Sequence, residues 1–235
     1  MAHLAIAQAY ASHQGNTMTP PPRLICFDWG GVILRICRSW EEGCAAAGLP
    51  VRPGSETPEA RALRREWAAR YQIGALTCDE FFVGASQAID GLYTPDEIRR
   101  IHDAWLIAEY PGVADIIETL ASKPDVETGL LSNTNQRHWL RHLPRSRGDR
   151  PDFPAIGMLG HRHASHILGC AKPGIAIYQA FEQATGAAPH EILFFDDLQE
   201  NVLSARACGW RAEQIDHTGD TAEQIRQYLF SHGVW

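Results

Sequence analysis

The sequence predicts an α/β protein: a doubly wound, Rossmann-like parallel sheet with a small all-helical domain inserted after the first strand. Three observations carry this prediction. Short continuous apolar runs recur and end in glycine or polar clusters. Segments with helical spacing alternate with those runs, and one stretch, 37–108, carries only helical patterns.

The first run, Leu24-Ile25-Cys26-Phe27, closes on Asp28-Trp29-Gly30-Gly31, as expected of a strand buried on both faces of a parallel sheet. Gly129-Leu130-Leu131 ends in Ser132-Asn133, and Ile192-Leu193-Phe194-Phe195 ends in Asp196-Asp197. Weaker strands are expected at 155–159 and 210–215. Val113, Ile116, Ile117 and Leu120 recur at helical intervals, with Pro111 near the start. Residues 173–184 place Ile177, Ala180, Phe181 and Ala184 on one face, and 201–207 and 221–229 behave likewise. Inside the interruption, helices are expected at 39–47, 58–71, 79–89 and 95–107. The organisation that follows is a flexible N-terminal extension over 1–22, a core built from 23–36 and 109–235, and a helical insertion over 37–108. Met18 stands just before the first strand, so residues 1–17 are either a loose extension or a misassigned start.

Of the 235 residues, 45% are apolar and 21% charged, the balance of a globular protein. A net charge of -7 with no long basic run argues against a nucleic-acid partner. The cysteines (Cys26, Cys37, Cys44, Cys78, Cys170, Cys208) form no C-x-x-C pair and are expected to be reduced, which points to the cytoplasm. No apolar run approaches the roughly 20 residues that span a bilayer, so no membrane partner is expected. Monomer and homodimer are equally compatible with the sequence.

Functional groups of a parallel sheet collect at the carboxyl ends of its strands. Three polar clusters end three expected strands here, and Lys172-Pro173 opens a helix in the same half of the chain. Asp28 and Asp197 together could hold a hard cation such as Mg²⁺, which prefers oxygen ligands. Lys172, the Ser132 hydroxyl and backbone N–H groups of residues 29–31 could receive a phosphate, with the glycines allowing close approach. Asp28 could then attack phosphorus.

In this order the motifs resemble those of the haloacid dehalogenase (HAD) superfamily. The first is Phe27-Asp28-Trp29-Gly30-Gly31-Val32-Ile33, the second Leu131-Ser132-Asn133-Thr134-Asn135, the third Lys172-Pro173. The fourth is Phe195-Asp196-Asp197-Leu198-Gln199-Glu200-Asn201. The resemblance implies Asp28 as nucleophile, with Ser132 and Lys172 as catalytic phosphate ligands beside Gly31 and Asn133. It implies magnesium held by Asp28, the Gly30 carbonyl and Asp197, supported by Asp196, with Asn201 bracing that loop. The insertion resembles the family's mobile cap, which selects substrate. Tyr71-Gln72-Ile73-Gly74 and residues 77–82 are similar to the caps of hexose-1-phosphate phosphatases and the epoxide-hydrolase-associated phosphatase domain. The expected activity is Mg²⁺-dependent hydrolysis of a small phosphorylated metabolite through an aspartyl-phosphate.

One departure stands out. Most phosphatases of the superfamily carry a second Asp, the general acid, where this sequence has Gly30. A positioned acid contributes typically 10²–10⁴-fold, so its loss favours leaving groups that depart easily, as in sugar-1-phosphates, acyl phosphates or aryl phosphates; the hexose-1-phosphate branch resembles this sequence in having Gly there. A 2-haloacid dehalogenase is the rival chemistry, but it does not need Asp196-Asp197. Phosphonoacetaldehyde hydrolases need a cap lysine, and 37–108 has none. A catalytically weak ligand- or partner-binding protein of the same fold is the alternative from another class. His161, His163 and His166 cluster before Lys172, and one of them is a candidate to replace the acid. The 145–150 run reads as a solvated loop, and Trp40, Trp67 and Trp105 as packing residues. Arg35 and Arg38 are expected to pair with Glu41 or Glu42.

Overall fold

A computed structural model describes residues 20–235, so the expected N-terminal extension lies, through residue 19, outside the described residues. The chain opens with β1 (Leu24–Phe27) and β2 (Leu34–Ile36). Four helices follow: α1 (Trp40–Ala46), α2 (Pro58–Gln72), α3 (Cys78–Ala88) and α4 (Pro95–Ala104). It continues through β3 (Leu106–Glu109), α5 (Val113–Ala121), β4 (Glu127–Ser132), α6 (Gln136–Trp139), β5 (His161–Ala164) and α7 (Ser165–Leu168). The last part is α8 (Ile175–Thr185), β6 (Ile192–Asp196), α9 (Gln199–Ala207), β7 (Arg211–Gln214) and α10 (Thr221–Ser231). Among the described residues no helix is long and apolar enough to cross a membrane.

Five strands form one parallel sheet in the order β5-β4-β1-β6-β7. Successive side chains of a strand point to opposite faces, which explains the unbroken apolar runs. In β1, Ile25 and Phe27 join α5 and α10 in one core, while Leu24 and Cys26 face α8 and α9 in the other. β6 divides the same way: Leu193 and Phe195 on the first face, Ile192 and Phe194 on the second. The chain leaves β1 toward β4 and β5, then returns across it to β6 and β7. The reversal puts a crevice at the carboxyl end of β1.

Two expected elements fall elsewhere. Residues 155–159 are not a strand: Ala155–Met158 is a 3₁₀ turn whose Ala155 and Ile156, with Leu159, are buried in the α5 core. The edge strand is His161–Ala164, which pairs on one side only and so carries no apolar run. The helix expected to reach residue 107 stops at Ala104, and Leu106–Glu109 pairs antiparallel with β2. The 37–108 stretch is therefore not purely helical. Its two connections to the core close as a ribbon, and the Leu34↔Glu109 and Arg35↔Ala108 pairings outweigh the helical period of Leu106 and Ile107.

Residues 40–104 bury their own cluster around Tyr71, Phe81, Phe82, Tyr93, Ile98 and Ile101. Tyr71 stacks on Phe81 with centroids 4.4 Å apart. Capping boxes Thr77/Glu80 and Thr94/Glu97 open α3 and α4. Each cap stabilises its helix by about 1 kcal/mol. Gly84 leaves the space on α3 into which the Trp67 ring fits.

Candidate active site

The three central strands deliver their polar ends to one point. The Asp28 N–H donates to the Phe195 carbonyl at 2.8 Å, which ties the end of β1 to the end of β6. Lys172 arrives just before α8 and is buried; its ammonium donates to the Leu131 carbonyl at 2.8 Å and to Asp196 at 2.7 Å. It also lies 2.9 Å from Asp28 Oδ1. Asn133 fixes the loop that carries it, accepting from the Lys172 N–H at 2.9 Å and donating to its carbonyl at 2.8 Å. Ser132, at the end of β4, is buried.

The three carboxylates differ in what they have left to give. Asp196 is fully buried and saturated: besides Lys172 it accepts both Asn201 Nδ2 contacts, at 3.0 and 3.1 Å, and the Leu198 N–H at 2.9 Å. Asp28 Oδ1 accepts no aligned hydrogen bond despite the nearby ammonium. Asp197 meets the Arg38 guanidinium at 2.7 Å. One oxygen from each of Asp28, Asp196 and Asp197 lies within 4.8 Å of the others. Burial pushes the Asp28 carboxyl up to about 7; Lys172 opposes this, and Asp196 and Asp197 reinforce it. Burial also works against the Lys172 charge, but Asp196 and Asp28 overcome it and hold the ammonium above its ordinary range.

Gly31 has φ +86°, and a Cβ there would run into the Asp197 carboxylate, so the turn after Asp28 admits only glycine. Its N–H is already committed to the Leu34 carbonyl at 2.7 Å. Gly31 therefore contributes space to an anion, and the amides available at this turn are those of Trp29 and Gly30.

The remaining sequence candidates scatter. His161 pairs with Glu127 at 2.8 Å, and His163 packs edge-on against Phe181. The Arg38 side chain reaches Asp197 rather than Glu41 or Glu42; Glu42 accepts only the Arg38 backbone N–H. Trp40 and Trp105 line a cavity, while Trp67 packs on Gly84 as expected.

That cavity, about 670 Å³, lies between the strand ends and the helices of 40–104, and Trp29, Gly30, Ser132 and Asn133 form its floor. Sequence reasoning missed a linked polar trio on a wall that also carries Arg38, Glu56, Arg61, Arg64, Arg65 and Gln72. His102 of α4 stacks on His138 of α6 with centroids 3.8 Å apart, and Asn135 bridges them. The network fixes the tautomers. Asn135 Oδ1 accepts the His138 N–H at 3.0 Å, so Asn135 Nδ2 is the donor to His102 Nε2 at 3.1 Å. The His102 proton therefore sits on Nδ1, which is buried and has no acceptor among the described residues. Burial, with the neighbouring His138, Arg137 and Arg141 charges, holds His102 well below the usual imidazole range. Asn135 stands inside the second motif, but residues 102 and 138 share no sequence pattern that would pair them.

A model of the haloacid dehalogenase-like hydrolase family matches residues 22–209. The chain belongs to that family. This hydrolase is 26% identical over 222 residues to the phosphatase MT3486 of Mycobacterium tuberculosis, covering 90% of this chain and 91% of that one. Its fold is similar to that of a HAD-like hydrolase of Porphyromonas gingivalis, with 25% identity, a TM-score of 0.71 and 88% and 98% of the two chains covered. It is also similar to a HAD-family enzyme of Bacteroides thetaiotaomicron solved with magnesium and inorganic phosphate. There the TM-score is 0.69, with 21% identity and 87% and 100% of the chains covered.

Proposed function

We propose that this hydrolase is a cytoplasmic, magnesium-dependent phosphatase that cleaves a small organic phosphate monoester through an aspartyl-phosphate on Asp28. The observation that carries the reading is the division of labour among three buried carboxylates. Lys172 and Asn201 saturate Asp196, while Asp28 keeps an oxygen without an aligned donor. The 26%-identical relative bears the name phosphatase, which agrees.

The donor set fits magnesium: oxygen atoms only, three carboxylates within 4.8 Å of one another, and an Asp28 Oδ1 that lies 2.9 Å from Lys172 yet accepts no aligned hydrogen bond. Asp28, Asp197 and the Gly30 carbonyl would hold the ion, with Asp196 positioning Lys172 beside it. Magnesium there supplies charge compensation between carboxylate and phosphate. Asp28 attacks phosphorus while Lys172, Ser132 and the Trp29 and Gly30 amides bind the phosphoryl oxygens. Water then hydrolyses the acyl phosphate and frees Asp28. Asn133 holds Lys172 in place. Residues 37–108 serve as the cap, of the kind found in hexose-1-phosphate phosphatases and the epoxide-hydrolase-associated phosphatase domain.

The test is phosphate release from acetyl phosphate and p-nitrophenyl phosphate, with and without Mg²⁺, by wild type and Asp28→Asn. Mg²⁺-dependent release lost in the variant supports the reading. Release that survives loss of Asp28 refutes it.

A further inference from the structure

One face of α2 lines the cavity, and its charges are of one sign. Arg61, Arg64, Arg65, Ala68, Tyr71 and Gln72 reach the cavity at helical spacing, as a single stripe. Three of these six are arginines, while the acids of the helix, Glu59 and Glu66, are not among the lining residues. That stripe works against its own helix. Arg61 and Arg65 stand four residues apart, where like charges repel, whereas a helix face built only for water alternates its signs.

Little of the repulsion is offset within the protein. Glu56, just before α2, meets Arg61 at 3.1 Å and Arg64 at 2.6 Å. Arg65 has no ion pair and no hydrogen bond among the described residues, so three guanidinium groups share one carboxylate. Arg38, on the same cavity, is already held by Asp197 and adds nothing to this surplus. Arg64 is fixed as well as charged. Its guanidinium lies over the Trp40 ring, 4.4 Å from the centroid, and its side chain is only 13% exposed. Trp40, Tyr71 and Phe81 make the neighbouring wall apolar, and positive charge facing such a wall acts more strongly than it would in open solvent.

The strand-end side of the cavity does not call on these arginines. A phosphoryl group seated there has Lys172, Ser132 and the amides of the turn after Asp28 to receive it. The stripe on α2 is left to meet a different negative charge on the same molecule. Guanidinium groups suit a carboxylate or a phosphate, since either anion can accept two parallel N–H bonds from one fork.

Resting on the phosphatase reading, we infer that the substrate carries a second anionic group, a carboxylate or a further phosphate, away from the ester that is cleaved. Arg61, Arg64 and Arg65 receive that group. A monoester with a neutral far end leaves their surplus charge unmet and is the poorer substrate.

The experiment has two arms. In the first, 3-phosphonopropionate, propane-1,3-diphosphonate and butylphosphonate, which cannot be hydrolysed, are titrated calorimetrically with Mg²⁺ present. At least one of the two doubly anionic compounds is expected to bind about tenfold tighter than butylphosphonate. Arg65→Gln should shrink that ratio about threefold, and Arg65→Lys should restore part of it. In the second arm, kcat/KM is compared within two pairs: 3-phosphoglycerate against glycerol 3-phosphate, and fructose 1,6-bisphosphate against fructose 1-phosphate. A preference of about tenfold in the first pair identifies a carboxylate as the second group, and one in the second pair a phosphate. Neutral-ended esters turned over as fast as their charged partners in both pairs would overturn the assignment and leave the phosphatase reading standing. A phosphonate ratio that Arg65→Gln leaves unchanged would overturn the assignment on its own. Silence toward every ester, with a doubly anionic phosphonate still preferred through Arg65, would instead remove the phosphatase reading and keep the anion site on α2.

Discussion

The Arg38 guanidinium lies 2.7 Å from the Asp197 carboxylate, joining a residue just past β2 to the carboxylate that follows β6. The Asp197 side chain is only 3% exposed, so this contact is shielded from water on the carboxylate side. It places a protein cation against the carboxylate proposed to bind magnesium.

Arg38 and the metal should therefore compete. Arg38→Gln is expected to lower the Mg²⁺ concentration for half-maximal activity by about two- to fivefold, the range of a partly exposed ion pair. Metal titration of activity, with calorimetry on the same variant, reads the change. An unchanged or higher requirement would show that Arg38 does not oppose the ion.

Among the described residues, Lys172 is the only cation in direct contact with the buried Asp28 and Asp196. Lys172→Met leaves both carboxylates uncompensated, and breaking a buried pair in this way costs about 3–5 kcal/mol. Urea denaturation should show a loss of that order, with phosphate release abolished. A variant as stable as wild type would mean that Asp28 and Asp196 do not need the ammonium.

How much of this is legible in the sequence depends on whether a residue belongs to a local pattern. Asp28, Ser132, Lys172, Asp196 and Asp197 each sit at the end of an apolar run or the start of a helix. The sheet then brings those ends together, so linear order carries the site. The edge strand His161–Ala164 is not legible, because pairing on one side only leaves it no apolar signature. Arg38–Asp197 and His102–His138 are long-range contacts set by how residues 40–104 meet the core, and no spacing announces them. The ribbon of β2 and β3 is hidden for a different reason: Leu106 and Ile107 continue a helical period that cross-strand pairing overrides.

The stacked histidines predict a pH response. Burial lowers His138 to about 4 and holds His102 well below its ordinary value. In the unfolded chain both would protonate near 6.5, so their contribution to stability is present above 6.5 and lost as pH falls toward 4. Asp28, raised to about 7, works in the opposite direction over much of that window, since its protonated form favours the folded state. The difference between wild type and His138→Gln cancels the Asp28 contribution. That difference is expected to shrink by up to about 3 kcal/mol between pH 7 and pH 4.5 in chemical denaturation. A difference independent of pH would mean that His138 protonates freely in the folded protein.

Gly30 offers the sharpest test of whether this site needs an easy leaving group. A Cβ at Gly30 would meet Ile36 Cδ1 at 3.0 Å, so an added side chain needs that methyl to give way. Gly30→Asp combined with Ile36→Ala makes the room and installs a carboxyl facing the cavity floor. If the absent acid limits catalysis, the pair should raise kcat for phosphate esters of aliphatic alcohols by about 100-fold, the lower end of what a general acid contributes. Esters such as p-nitrophenyl phosphate, whose leaving group needs no proton, should change little. A uniform rise across all esters would point to better binding rather than proton transfer. A uniform loss in a variant that still folds would mean that the turn after Asp28 tolerates no side chain, whatever its chemistry.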